Sequence, residues 1–132
     1  MSDNNKNLII TVAARRKLVK ARAGAASLPK ITGMAFGDGG VDSDGHVVAP
    51  PEDQAPLTHE LFRKVIDGYE VLADETATIR YECTLSADEL VGAEVSEIGL
   101  YDAEGDIACI KTFPRKGKDD DEEHTYRIDD IF

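Results

Sequence analysis

Residues 95–106 (Val-Ser-Glu-Ile-Gly-Leu-Tyr-Asp-Ala-Glu-Gly-Asp) constrain the fold more than any other stretch. They read as strand, tight turn, strand. Residues 94–101 and 106–113 form a hairpin across Asp102-Ala103-Glu104-Gly105, and Pro114 ends the second strand. Ile98 and Leu100 are its apolar anchors, and Gly99 between them predicts a bulge or a close backbone approach. The acids of this segment surround a turn, and no nucleophile–base pair sits in it. Three further strands are expected, at 31–36, 69–73 and 76–85. In 76–85, Ile79, Tyr81, Cys83 and Leu85 alternate with Thr78, Arg80, Glu82 and Thr84, which predicts one face on a core and one in water. Gly37-Asp38-Gly39-Gly40 ends 31–36, because these residues tolerate positive φ in turns.

Helical spacing appears twice. Residues 8–23 carry Ile10, Ala14, Leu18 and Ala21 on one side, a spacing that Ala25 continues, with Thr11 near the start and Gly24 past the end. Arg15, Arg16, Lys17, Lys20 and Arg22 cover most of the remainder, but Val12 and Val19 form a second narrow apolar line among them. A helix buried on one face has no need of that line, so a partner surface is expected there. Residues 57–66 read as a short second helix, with Leu57, Leu61, Phe62, Val65 and Ile66 on one face. Ser86-Ala87-Asp88-Glu89 matches a capping box and predicts one helical turn before Gly92. The loop 37–56, stiffened by Pro50, Pro51 and Pro56, is long for a compact domain. The charged run 115–123 is expected to be exposed, and 126–132 is a last candidate strand. The fold class predicted is α+β: an N-terminal helix and a short second helix packed on a mostly antiparallel sheet. One domain spans 1–132, with 1–7 and 115–124 expected to be mobile.

Charge narrows the partners. The net charge is −11, which argues against nucleic acid, since phosphate contacts need clustered Lys and Arg. The first thirty residues nevertheless hold seven basic groups and one acid, a net of +6, against −17 for the rest. Such halves attract each other within one fold or attract neighbouring copies. No apolar run is long enough for a transmembrane helix, so no membrane is expected. The polar N-terminus does not read as a secretory signal, which implies synthesis in a cytoplasm. Cys83 and Cys109 fall at apolar strand positions and read as reduced, buried side chains.

Little in the chain has the spacing of a chemical site, and no cofactor is expected. Asp42-Ser43-Asp44-Gly45 invites a calcium reading, with Asp53 as the twelfth residue counted from Asp42. Glycine comes fourth instead of sixth, however, and Pro50-Pro51 distort the path, so Asp42, Asp44 and Asp53 are weak metal candidates. The glycines at 37–40 have no following Lys-Ser/Thr and do not make a phosphate loop. His46, His59 and His124 lie in separate segments. The chain is therefore not read as an enzyme. A small acidic module binding calcium or another ligand through loop 37–56 is the alternative.

Three segments, in this order and spacing, resemble the N-terminal domain of phage tail-collar fibre proteins: Ile31-Thr-Gly-Met-Ala-Phe-Gly-Asp-Gly-Gly, Leu57-Thr-His-Glu-Leu-Phe-Arg-Lys and Glu97-Ile-Gly-Leu-Tyr-Asp-Ala-Glu-Gly. The small residues Ala13-Ala14 and 21–26 fit as well, and the resemblance covers roughly residues 8–113. It implies a structural protein of a phage or prophage virion tail, made in a bacterial cytoplasm. It also implies an attachment or adaptor role linking a fibre to the baseplate, without catalysis. Other tail or baseplate proteins would be its partners, and a homo-oligomer, a trimer in this family, is implied. None of residues 1–132 reads as a shaft, repeat or receptor-binding tip, so host binding is not expected of them, and a truncated or stand-alone prophage form is the other possibility. The expected interface is Val12, Arg15, Arg16, Lys17, Val19, Lys20 and Arg22.

Overall fold

The computed structural model describes residues 7–73 and 77–131. Residues 1–6, Thr76 at the start of one expected strand, and Phe132 at the end of another lie outside them. The described residues form one helix and eight strands: β1 (Leu8–Ile10), α1 (Val12–Arg22), β2 (Ile31–Gly37), β3 (Glu60–Val65), β4 (Gly68–Ala73), β5 (Thr78–Leu85), β6 (Glu94–Asp102), β7 (Ile107–Gly117) and β8 (His124–Ile131). Two antiparallel sheets pack together, one ordered β1-β7-β6-β2-β3 and the other β4-β5-β8. The fold is therefore mostly β, which corrects the α+β expectation.

Residues 57–66 are not a helix. Residues 57–59 belong to a loop, and β3 pairs with β2 with Met34 opposite Lys64 and Phe36 opposite Phe62. Strand β3 lies at a sheet edge and carries apolar residues on both faces. Phe62 packs against the core, while Leu61 and Val65 are exposed, Val65 by 63 %. Apolar residues on both faces of an edge strand imitate helical spacing, and the partner strand lies some thirty residues upstream, beyond any local signal. Residues 8–10, read as the first turn of α1, instead form β1 against Cys109–Lys111. Of the Ser86–Glu89 capping box one contact exists, the Ser86 amide donating to Glu89 Oε1 at 2.8 Å; the Glu89 amide bonds the Ser86 carbonyl instead, and the segment is a turn with no helix after it.

The core lies between the sheets. Met34, Phe36, Ile98 and Leu100 from one sheet meet Cys83, Leu85, Tyr126 and Ile128 from the other. Strand β6 is buried on both faces, because loop 38–59 crosses the outer face of its sheet. There Leu57 joins Ala35, Ile107 and Ile110 in a second cluster. Polar side chains of β6 and β7 hold this loop in place. Glu97 is fully buried and accepts hydrogen bonds from the amides of Gly39 (2.8 Å), Thr58 (2.7 Å) and His59 (2.8 Å). Ser96 Oγ accepts from the Gly40 amide at 2.9 Å, and Thr112 Oγ1 donates to the Val48 carbonyl at 2.8 Å.

This strapping explains the glycines at 37–40 differently from the turn reading. None of them has positive φ. A Cβ on Gly40 would lie 2.0 Å from the Ser96 carbonyl oxygen, and one on Gly39 would lie 2.7 Å from Glu97 Oε2. They permit close approach, not an unusual backbone. Gly99 does the same: its Cβ would stand 2.9 Å from the Cys109 carbonyl oxygen and 3.2 Å from Leu57. The β6–β7 bulges flank it, between Val95 and Glu97 and between Leu100 and Tyr101.

Of segment 115–124, residues 115–117 continue β7. Lys118 is buried, and its ammonium donates to the carbonyls of Ala87 (3.1 Å) and Asp119 (2.9 Å).

Candidate docking surface

Helix α1 follows directly on β1, and its position is set by its N-cap residue, Thr11. The Thr11 amide donates to the Ala108 carbonyl at 3.0 Å, continuing the β1–β7 ladder for one step. Thr11 Oγ1 then donates to the Ile107 carbonyl at 2.7 Å and accepts from the Ala14 amide at 3.2 Å. One buried hydroxyl thus caps the helix and fastens it to the edge of the sheet. At the other end Gly24, with φ 77°, closes a Schellman motif. Its amide donates to the Ala21 carbonyl at 3.0 Å, and that of Ala25 to the Lys20 carbonyl at 2.9 Å. Lys20 and Arg22 in the last turn complement the helix dipole.

No residue of α1 is fully buried. Its one strong polar anchor is Lys17, whose ammonium sits 2.7 Å from Asp102, 2.8 Å from Glu104 and 2.7 Å from Asp106, the acids of the β6–β7 turn. Desolvation works against this ammonium, but the hydrogen bonds to Asp102, Asp106 and Glu104 outweigh it and hold its pKa above the ordinary lysine value. Here the basic N-terminal part and the acidic remainder meet within one chain. Lys17 is thereby engaged internally.

The other expected interface residues face outward. Val12 is half-buried. Arg15, Arg16, Lys20 and Arg22 are exposed, and Val19 is 67 % exposed. Val12, Arg15, Arg16, Val19 and Lys20 line one shallow depression. Among the described residues, no ion pair or side-chain hydrogen bond engages Arg15, Arg16, Lys20 or Arg22. The surface is therefore a cationic patch with an apolar centre on an otherwise acidic protein.

The metal candidates are partly brought together. Asp42, Asp44 and His46 place ligand atoms within 4.8 Å of one another, and Asp53 is not among them. Asp42 Oδ1 already accepts from the amides of Asp44 and His46, both at 2.9 Å. The His46 amide bond, opposed by slight desolvation, is the main cause of its lowered pKa. All three groups are exposed, and three exposed ligands fall well short of the six to eight oxygens calcium takes.

The histidines and cysteines do not assemble a nucleophile. His59 pairs with Asp38 at 2.5 Å, and hydrogen bonding to Asp38 raises its pKa. Both thiols are buried and free, and desolvation pushes each up to about 12, away from the reactive thiolate. Sequence reasoning missed Glu97, whose three amide donors come from segments 38 to 58 residues away. The one available signal was an acid at an inward position of an otherwise apolar strand.

Comparison with known proteins agrees with a structural role. A protein described as "Probable tail fiber protein" from Escherichia phage P2 is 31 % identical over 102 residues, covering 77 % of this chain and 14 % of that protein. The chain thus spans about one seventh of the relative's length. No solved structure matches. The model of the phage tail-collar fibre protein N-terminal family matches residues 2–128, and the chain belongs to that family.

Proposed function

We propose that this domain is a structural component of a phage or prophage tail and attaches a tail fibre to the baseplate or to an adjoining tail protein. It acts by binding, without catalysis, and the outer face of α1 makes the contact. The observation that carries this reading is the face itself: four cations without partners among the described residues, around Val12 and Val19, on a chain of net charge −11. Exposed ion pairs contribute only about 0–1 kcal/mol each, so burial of the two valines supplies much of the affinity and the charges supply orientation. Lys17, expected in this interface, is held by the β6–β7 turn and positions the helix instead.

The test is incorporation. A chain carrying Arg15→Glu, Arg16→Glu, Lys20→Glu and Arg22→Glu should keep its melting temperature but fail to enter purified tail particles. Incorporation at the wild-type level would overturn the assignment. Light scattering on the purified chain separates self-association from capture by another tail protein.

A further inference from the structure

A second surface, on the other side of α1, has the chemistry of a peptide groove. The inward face of the three-stranded sheet near β4 looks across a space to Leu18 of α1, to residues 28–31 running into β2, and to Asp102 and Ala108 of the other sheet. The space between has a volume of about 460 Å³. Leu18 and Leu28 stand on one wall, and Tyr69, Ile79, Tyr81 and Asp130 on the other. Leu28 and Tyr69 are half or more exposed, Tyr69 by 66 %.

Asp130 is out of place in this setting. It is half-buried opposite Ile79 in the β5–β8 ladder. Among the described residues its carboxylate has no hydrogen bond or ion pair, even though Lys17 and Lys30 line the same space. Lys17 is held by three other carboxylates. Burial raises the Asp130 pKa, and no neighbouring cation is among the causes. A half-buried carboxylate among apolar side chains is unfavourable unless a cation accompanies it. Two tyrosine rings, 6.1 Å apart at their centroids, stand beside it and offer faces on which a cation can lie. Strand β4 also ends its sheet, with one edge unpaired by any described strand.

We propose that this groove receives an extended segment of a partner protein, with a Lys or Arg side chain placed between aliphatic residues. The cation pairs with Asp130 against Tyr69 and Tyr81, and the aliphatic neighbours cover Leu18, Leu28 and Ile79. An unpaired carboxylate on a chain of net charge −11 selects a cationic partner over an acidic one and over a second copy of this chain. This surface is distinct from the outer face of α1, and the proposal does not depend on the docking assignment made for that face.

The experiment pans a pool of short random peptides against the immobilised full chain. It then measures the selected peptides by fluorescence anisotropy. The selected sequences should share one Lys or Arg flanked by aliphatic residues. Asp130→Asn should weaken them about tenfold, and exchanging the peptide's cation for Met should weaken them equally on wild type but no further on Asp130→Asn. Tyr69→Ala, at an exposed position, should weaken binding too and keeps the test valid if Asp130→Asn does not fold. The four-fold charge reversal on α1 should not weaken binding. Selection of no peptide, selection without a shared cation, equal affinity for Asp130→Asn and Tyr69→Ala, or loss on the α1 variant would each overturn the proposal. So would self-association of the purified chain that Tyr69→Ala abolishes, since a second copy would then occupy the groove.

Discussion

Replacing Glu97 by Gln tests how loop 38–59 is held on the sheet. In the wild type Glu97 Oε2 accepts from Gly39 and His59, and Oε1 accepts from Thr58. Glutamine has one acceptor oxygen. Placed at the Oε2 position it retains two bonds without their charge assistance and turns its NH₂ toward the Thr58 amide, donor against donor. Hydrogen bonds to a charged group contribute about 1.5–3 kcal/mol, and an unsatisfied buried donor costs about 1–3. One lost bond and two weakened ones give a loss of about 3 kcal/mol. For a domain of this size that is roughly a 10 °C fall in melting temperature. The assay is urea unfolding followed by circular dichroism, paired with hydrogen exchange. The amides of Gly39, Thr58 and His59 should exchange faster, while those of β6 and β7 change only with global stability. A loss below about 1 kcal/mol, or unchanged exchange at those three amides, would refute the view that Glu97 fastens the loop.

Lys17→Met should destabilise the domain by about 1–2 kcal/mol near neutral pH, because three clustered carboxylates lose their counter-ion. The folded-state pKa of Lys17 is raised, so its contribution is complete below the ordinary value of 10.5 and is lost as pH climbs beyond it. Urea midpoints of the two proteins should therefore converge in strong alkali. Cys83 and Cys109 should resist a chromogenic disulfide reagent in the native protein and both react once it is unfolded in urea. Their pKa values, raised from 9.0 to about 12, also predict stability that is full below pH 9 and falls as pH rises toward 12, measurable by thermal melts. Tyr126→Phe removes a buried hydroxyl with no hydrogen-bond partner among the described residues. It should raise stability by about 1 kcal/mol, and a loss of similar size would show that the hydroxyl has a partner.

The β6–β7 hairpin was legible because its determinants are local: alternation and a turn lie within twenty residues, although Pro114 does not end the second strand, which runs on to Gly117. The helix was legible from Val12 to its Gly24 cap for the same reason, and the cysteines from their place in apolar alternation. The second helix was not. Leu61, Phe62, Val65 and Ile66 have a spacing that suits a helix as well as an edge strand, and pairing with β2 decides between them. Lys17 read as one of five equivalent cations, and only the position of the β6–β7 turn beneath it separated it from Arg15, Arg16, Lys20 and Arg22.

By itself the sequence determined the hairpin, the cap, the reversal of charge between the first thirty residues and the rest, and the resemblance to tail-collar fibre domains. These depend on residues close together in the chain or on a pattern that needs no coordinates. The tertiary structure decided which cations are free, why glycines stand at 37–40, that loop 38–59 is strapped to the sheet by Glu97, and that Asp130 stands unpaired in a groove. Each of these is set by what approaches from a distant part of the chain, and only the packing of two sheets brings those parts together.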